Sequence, residues 1–347
     1  MRLSLVREPA PQMQAVQLVA PRTLEPRKVD VPKPGRGEVL IEVAACGVCR
    51  TDLHIFDGDI AAPRLPLTPG HQVVGRVAGL GPGAFRFVQG TRVGVPWLGS
   101  ACGKCDYCTS GRENLCGEAR FTGLHRDGGF AAYALADERF CFKLPDAIDD
   151  VHAAPLLCAG LIGHRAYAMA AGAKRLGIYG FGGAGHLVAQ VGVHEGREVY
   201  GFTRPGDVGA QAFARSLGCK WAGDSTAAPP EPLDAALIFA PAGELVPAAL
   251  AAVRRGGTVV CAGIHMTDIP AFPYSLLWGE RVLRSVANLT RRDGEAFLRV
   301  AAGMNLRTVV REYPLEEAHA ALDDLRNGRF EGAAVLLPRK GEPAPGR

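Results

Sequence analysis

Leu176-Gly177-Ile178-Tyr179-Gly180-Phe181-Gly182-Gly183-Ala184-Gly185 is the stretch on which the reading of the fold turns. Its first four residues form a short apolar strand, and helical spacing runs from Gly185 to Glu195. A strand, a glycine-rich turn and a helix in that order allow a tight backbone turn and bring a ligand's pyrophosphate against the helix N-terminus. A lone G-x-G-x-x-G is common. Here a second strand, Glu198-Val199-Tyr200-Gly201-Phe202, arrives at the distance a βαβ unit requires. Gly180, Gly182, Gly183 and Gly185 are therefore expected to bind a dinucleotide cofactor. The second strand ends Gly201-Phe202-Thr203-Arg204, with no acid before Asp207. An acid at that place holds a ribose 2′-hydroxyl, whereas arginine pairs with a 2′-phosphate. Thr203 and Arg204 thus favour NADP over NAD.

Downstream the alternation continues, with Ala210 to Leu217 as helix, Ala235 to Phe239 as strand, Leu245 to Val253 as helix and Thr258 to Ala262 as strand. That is the pattern of a doubly wound parallel sheet. Upstream, from Gln14 to about Val95, the chain reads as strands and turns. The runs Val39-Leu40-Ile41-Glu42-Val43, Val73-Val74-Gly75-Arg76-Val77 and Thr91-Arg92-Val93-Gly94-Val95 are separated by glycine-rich turns, the profile of a small β-barrel. The last stretch, from about Arg292, holds a helix around Leu315 to Asn327 and a strand at Ala333 to Leu337. A chain of 347 residues exceeds what one core supports, so two domains are expected. The fold class is α/β.

Hydrophobic content of 48% and charged content of 21% are those of a globular protein. Net charge is only +4 and the basic residues form no block, which argues against a nucleic-acid partner. No apolar run is long enough to span a membrane, and Met1 to Gln14 lacks the apolar core of a signal peptide. A cytoplasmic location is expected, where thiols stay reduced and ten cysteines suggest metal ligands. Cys102, Cys105, Cys108 and Cys116 follow C-x2-C-x2-C-x7-C in the loop from Leu98 to Gly117. Four thiolates close a tetrahedral zinc site with no open position; iron–sulfur sites use similar spacings, and zinc is the best candidate. Cys49, His71 and Cys158 supply two thiolates and an imidazole, which leave the fourth position of a zinc ion open to a substrate oxygen.

These motifs stand in a recognisable order. Cys46-Gly-Val-Cys49-Arg-Thr-Asp-Leu-His54, Pro69-Gly70-His71-Gln72-Val-Val-Gly75, the four-cysteine loop, Pro155-Leu-Leu-Cys158-Ala-Gly160 and the glycine motif follow one another over nearly the whole chain. In this the sequence resembles the zinc-containing medium-chain alcohol dehydrogenase family. The resemblance implies a GroES-like β-barrel catalytic domain (residues 14–158 and 292–347) and a Rossmann cofactor domain (residues 159–291), with the active site in the cleft. It implies two zinc ions per chain, the catalytic one on Cys49, His71 and Cys158 and the structural one on the four-cysteine loop. Cys49 is preferred to Cys46 because Arg-Thr-Asp follows it, and Cys46 is read as a small buried residue. Thr51 would bond the substrate oxygen and pass its proton through the cofactor ribose toward His54. Asp52 would orient His71, and Arg50 would sit near the cofactor pyrophosphate.

Three positions depart from the family pattern. Gln72 stands where Glu is common, Ile162 where Thr often faces the nicotinamide, and Gly332-Ala333 lacks a pyrophosphate-binding arginine. By the same resemblance Phe56 and Trp97 line the substrate cleft and favour small or unbranched primary alcohols and their aldehydes. The implied activity is reversible hydride transfer between such an alcohol and NAD(P). A polyol or secondary-alcohol dehydrogenase is the second enzyme reading, and a catalytically silent NAD(P)-binding protein is the reading from another class. A homodimer or homotetramer joined through the edge strand Arg281 to Ala287 is the expected assembly.

Overall fold

The structure, a computed structural model, describes residues 11–338, so most of the N-terminal extension and the last nine residues of the C-terminal segment lie outside it. Two compact units emerge. One holds residues through Cys158 together with 290–298 and the chain from 308 onward; the other holds 159–289 and 299–307. Residues 299–307 thus group with the second unit, not with the C-terminal segment of the first. Gln190 supplies a reason: its side-chain amide donates to the Arg307 carbonyl at 2.9 Å and accepts the Arg307 N–H at 2.8 Å.

The first unit is built on a seven-stranded sheet. Its order runs Val310–Pro314, Ala333–Leu337, Glu38–Val48, Gln72–Leu80, Arg92–Val95 and Phe142–Lys143, with Tyr133–Asp137 pairing on Glu38–Val48. All neighbours are antiparallel except the parallel pair Val310–Pro314 and Ala333–Leu337. Val39, Ile41, Val43, Val73, Val77, Val93 and Val95 close the core from neighbouring strands. Two glycines let those strands approach. A Cβ on Gly75 would lie 2.1 Å from the Glu42 carbonyl, and one on Gly94 would lie 2.6 Å from Leu157. The region read as strands and turns also contains a helix, Arg50–Asp57. It forms there because Cys49 and Asp52 complete a reciprocal capping box, and Gly58 ends it in the left-handed region at φ 89°.

The second unit carries a six-stranded parallel sheet ordered Trp221–Asp224, Glu198–Thr203, Arg175–Tyr179, Leu233–Ile238, Val253–Cys261 and Val282–Ser285. Chain order reverses at Arg175–Tyr179, the switch point at which such sheets bind ligands. Strand Trp221–Asp224 carries little sequence signal, since four residues including a glycine give little alternation to read. Tyr179 and Phe202 stack at 4.0 Å beneath the sheet's core of Leu233, Ile238, Val246 and Leu250. The fold is α/β, with a GroES-like domain and a Rossmann-type parallel sheet. Among the described residues no helix is long and apolar enough to cross a membrane.

Replacing Gly75 with alanine tests the close strand pairing. The methyl group has backbone on its far side and nothing flexible to displace, so a loss of about 1–3 kcal/mol is expected, the usual cost of overpacking. A denaturation midpoint equal to the parent's would show that the strands can separate there at no cost.

Candidate metal centres and cofactor loop

Strand register brings the first pair of candidate metal ligands together. In the antiparallel pairing of Glu38–Val48 with Gln72–Leu80, Gly47 faces Gln72. Cys49 lies just beyond the end of one strand and His71 just before the start of the other, so the two residues meet although 22 positions separate them. The Cys49 Sγ is 3.2 Å from His71 Nε2. Cys158 follows the 3₁₀ turn Ala154–Leu157, which Leu157 anchors against Gly94, and its sulfur lies 4.0 Å from that of Cys49. One ligand atom from each of Cys49, His71 and Cys158 falls within 4.8 Å of the others.

Asp52 organises this group. Its carboxylate accepts the Cys49 N–H at 2.9 Å through one oxygen and faces His71 Nδ1 at 3.1 Å with the other. An acceptor at Nδ1 fixes the proton on that nitrogen and leaves the Nε2 lone pair facing the sulfurs, the arrangement a metal-bound imidazole needs. Both residues are buried, His71 at 0% and Asp52 at 1% exposure, so water does not compete for the bond. The hydrogen bond from Cys158 draws the Cys49 thiol well below its usual range, while Cys158 is pushed up in return. Binding of a dication there would require both thiols to lose their protons.

Around this group, Trp97 packs edge-on against His71 at 4.8 Å and stacks on Phe121 at 4.9 Å. Phe121 had no signal in the sequence, because only the fold lays it flat on Trp97. Phe56 is held elsewhere: its ring is buried, 5.5 Å from His319 and beneath the Arg326 guanidinium, in the packing of a core aromatic. Cys46 is fully buried, packed so closely that a Cβ on Gly70 or Gly129 would lie 2.9 Å from its sulfur. Gln72 is buried over Gly47, and its Nε2 has no hydrogen-bond partner among the described residues. Thr51 is buried in the first turn of the Arg50–Asp57 helix and Arg50 is exposed at its start. His54, three residues after Thr51, is partly exposed and holds Asp59 at 2.9 Å through Nδ1. Asp59 lies beyond the helix end, where no motif marks it.

The four-cysteine loop is closed on itself. One ligand atom each from Cys102, Cys105, Cys108 and Cys116 gathers within the same 4.8 Å limit. Gly103 and Gly111 turn the chain around them with φ of 76° and 70°. Backbone N–H groups of Cys102, Cys105 and Glu118 point at the sulfurs. Such donors favour thiolate: backbone N–H bonds from Lys104 and Cys105 bring Cys102 down to about 6, whereas burial pushes Cys108 up to about 12. Leu98, Ala101 and Phe140 form the small core beneath. The loop also contains a short strand, Leu98–Ser100, and one helical turn, Asp106–Thr109.

In the second unit the glycine motif joins strand Arg175–Tyr179 to helix Gly183–His194. Gly180 has φ 93° and lies so near Ala240 that a Cβ would be 2.7 Å from its backbone nitrogen. A Cβ on Gly185 would meet the Gly180 carbonyl at 2.2 Å, whereas one on Gly182 would project into open space. Two glycines thus make the turn, and Gly182 leaves room in front of it. No side chain caps this helix, so its first N–H groups are left for a ligand. Thr203 is buried at the end of its strand, its hydroxyl donating to the Arg204 carbonyl at 3.2 Å, and Arg204 is exposed.

Comparison with known proteins agrees with this geometry. A family model described as the alcohol dehydrogenase GroES-like domain matches residues 35–146. The chain is 47% identical over 315 residues to a protein of Mycobacterium tuberculosis described as a probable alcohol dehydrogenase, AdhA, with 88% of this chain and 90% of that protein covered. Among solved structures, a cinnamyl alcohol dehydrogenase of Sorghum bicolor superposes with a TM-score of 0.86 at 25% identity, covering 97% of this chain and all (100%) of that one. Acetophenone reductase of Geotrichum candidum, solved in complex with NAD, has a TM-score of 0.86 at 25% identity, covering 95% and 98%. With two cysteine-rich groups that could hold a metal ion, a glycine-rich turn between strand and helix and a relative aligned over nine-tenths of its length, this chain belongs to the zinc-containing medium-chain alcohol dehydrogenase family.

Proposed function

We propose that this enzyme transfers a hydride reversibly between small or unbranched primary alcohols, or their aldehydes, and NADP. The observation that carries the reading is the convergence of Cys49, His71 and Cys158 on one point, with Asp52 fixing the free nitrogen of His71. Two sulfurs and one nitrogen are a donor set for zinc with one position left open. Cys102, Cys105, Cys108 and Cys116 would hold a second zinc in a closed, structural site. When bound, the catalytic zinc supplies a Lewis acid for the substrate oxygen and the nicotinamide supplies or accepts the hydride.

The protein's own residues do the rest. The Thr51 hydroxyl accepts the alcohol's proton as it releases its own, which His54 takes up and passes outward. Both lie on the Arg50–Asp57 helix at a spacing of three, which puts them on one face. The line from buried Thr51 to the partly exposed His54, steadied by Asp59, leads from the interior toward solvent. Trp97, edge-on to His71, narrows the space beside the metal and selects against branched substrates. Phe56, packed on His319, gives that reading no support.

The open space at Gly182 and the uncapped helix behind it suit a pyrophosphate. Arg204 is the reason for preferring NADP, since its guanidinium suits a 2′-phosphate. The assembly we propose is a homodimer or homotetramer formed along Val282–Ser285, the edge strand of the parallel sheet. Tyr274, Trp278 and Val282 are exposed there at 71%, 57% and 45%. Ten free cysteines fit a reducing, cytoplasmic location.

Initial rates of NADPH and NADH oxidation against small aldehydes test the activity. Turnover with NADPH on unbranched aldehydes is expected, and turnover with NADH alone would overturn the Arg204 reading. Thr51→Ala should lower kcat by about 10²-fold or more, the scale of a lost general acid–base group; an unchanged kcat would remove Thr51 from the proton path. Asp52→Asn should weaken the catalytic zinc about 10–100-fold. Metal analysis after mild chelation would then find one zinc per chain, held by the four cysteines. Two retained zincs would mean that Asp52 does not set the affinity.

A further inference from the structure

His186 is one residue beyond the glycine motif and faces inward from the first turn of helix Gly183–His194. It is 1% exposed, and its ring lies 6.1 Å from that of Phe213. The Gly182 carbonyl accepts two hydrogen bonds from this one residue, from its backbone N–H at 3.1 Å and from its ring Nδ1 at 3.1 Å. Because the acceptor is a carbonyl, Nδ1 carries the proton, and burial keeps the imidazole neutral by lowering its pKa. The other nitrogen, Nε2, is buried without a partner among the described residues. An aliphatic side chain would bury the same helix face without leaving a polar atom unpaired, so packing alone does not account for histidine.

The doubly bonded carbonyl has a consequence on the opposite side of the same peptide. In a trans peptide the C=O of residue 182 and the N–H of residue 183 point in opposite directions. Holding the carbonyl down into the helix therefore holds the Gly183 N–H pointing the other way, out of the helix end. Two consecutive glycines would otherwise leave this peptide unusually free to rotate. Gln190, one turn on, extends the arrangement by donating to the His186 carbonyl at 3.0 Å.

We propose that His186 is a positioning residue for the cofactor pyrophosphate, fixing the Gly182–Gly183 peptide through Nδ1 so that its N–H meets the anion already oriented. The inference rests on the dinucleotide reading of the glycine motif. It concerns a side chain that does not itself touch the ligand, and it makes part of the cofactor affinity depend on one buried hydrogen bond.

The test is equilibrium binding without turnover. Wild type, His186→Leu and His186→Asn are titrated with NADPH and NADH by cofactor fluorescence, and with ADP-ribose, adenosine and adenosine 2′-monophosphate by competition. Asn places its Nδ2 where histidine has Nδ1, so it keeps the donor; His186→Met is a second donor-free variant should the leucine protein fold poorly. Loss of the donor should weaken the pyrophosphate-bearing ligands about tenfold, equivalent to about 1.4 kcal/mol. Adenosine and its 2′-monophosphate should be unaffected, and Asn should restore most of the loss. Donor-free variants that bind ADP-ribose as wild type does would overturn the proposal, as would an equal loss for the ligands lacking pyrophosphate. A wild-type protein that binds neither reduced cofactor would instead overturn the dinucleotide reading itself.

Discussion

The carboxylate of Asp52 is the constraint on which the proposed catalytic group depends. It is buried, and with one oxygen for each task it caps the Arg50–Asp57 helix at Cys49 and faces the His71 imidazole. The backbone of one proposed ligand and the ring of another are thereby referred to a single rigid group. Desolvated carboxylates are costly to bury unless hydrogen-bonded, so this one is stable only in the arrangement that also presents Nε2 to the sulfurs. Local secondary structure and the chemistry of the site are here the same set of hydrogen bonds.

Glycines do the corresponding work elsewhere, in two different ways. Gly75 and Gly94 are places where another atom already fills the volume of a Cβ, and they let strands and the Cys158 turn pack closely. Gly182 is a place where nothing fills that volume, and the proposed pyrophosphate would take the room. Freedom at a glycine carries an entropic cost, and the interior histidine behind Gly182 offsets it by fixing one peptide. The four-cysteine loop meets the same need differently, with left-handed glycines turning the chain and N–H groups aimed at the sulfurs.

Much of this was legible in the sequence because the signals are local. Four cysteines within fifteen positions, a glycine motif between strand and helix, and alternating β-branched runs are each read from neighbouring residues. The Arg50–Asp57 helix was hidden among strands because its start signal is a cysteine and an aspartate, not a serine–glutamate pair. Residues 299–307 group with the Rossmann-type unit, where Gln190 exchanges two hydrogen bonds with Arg307 from more than a hundred positions away, which no local pattern reveals. Phe56 and Trp97 are both buried aromatics near the proposed ligands in sequence, yet only Trp97 touches His71.

By itself, then, the sequence determined the α/β class, the metal-ligating residue types and the glycine turn, since spacing and residue chemistry suffice for these. Tertiary structure alone decided which distant residues meet. Register between two antiparallel strands joins Cys49 to His71, and a packed turn brings Cys158 to them. Asp59 reaches His54, Phe121 lies on Trp97, and His186 holds the Gly182 carbonyl. The physical reason is that a hydrogen bond or a ring contact depends on distances of a few ångströms in space, and chain spacing fixes those distances only within a single turn or strand pair.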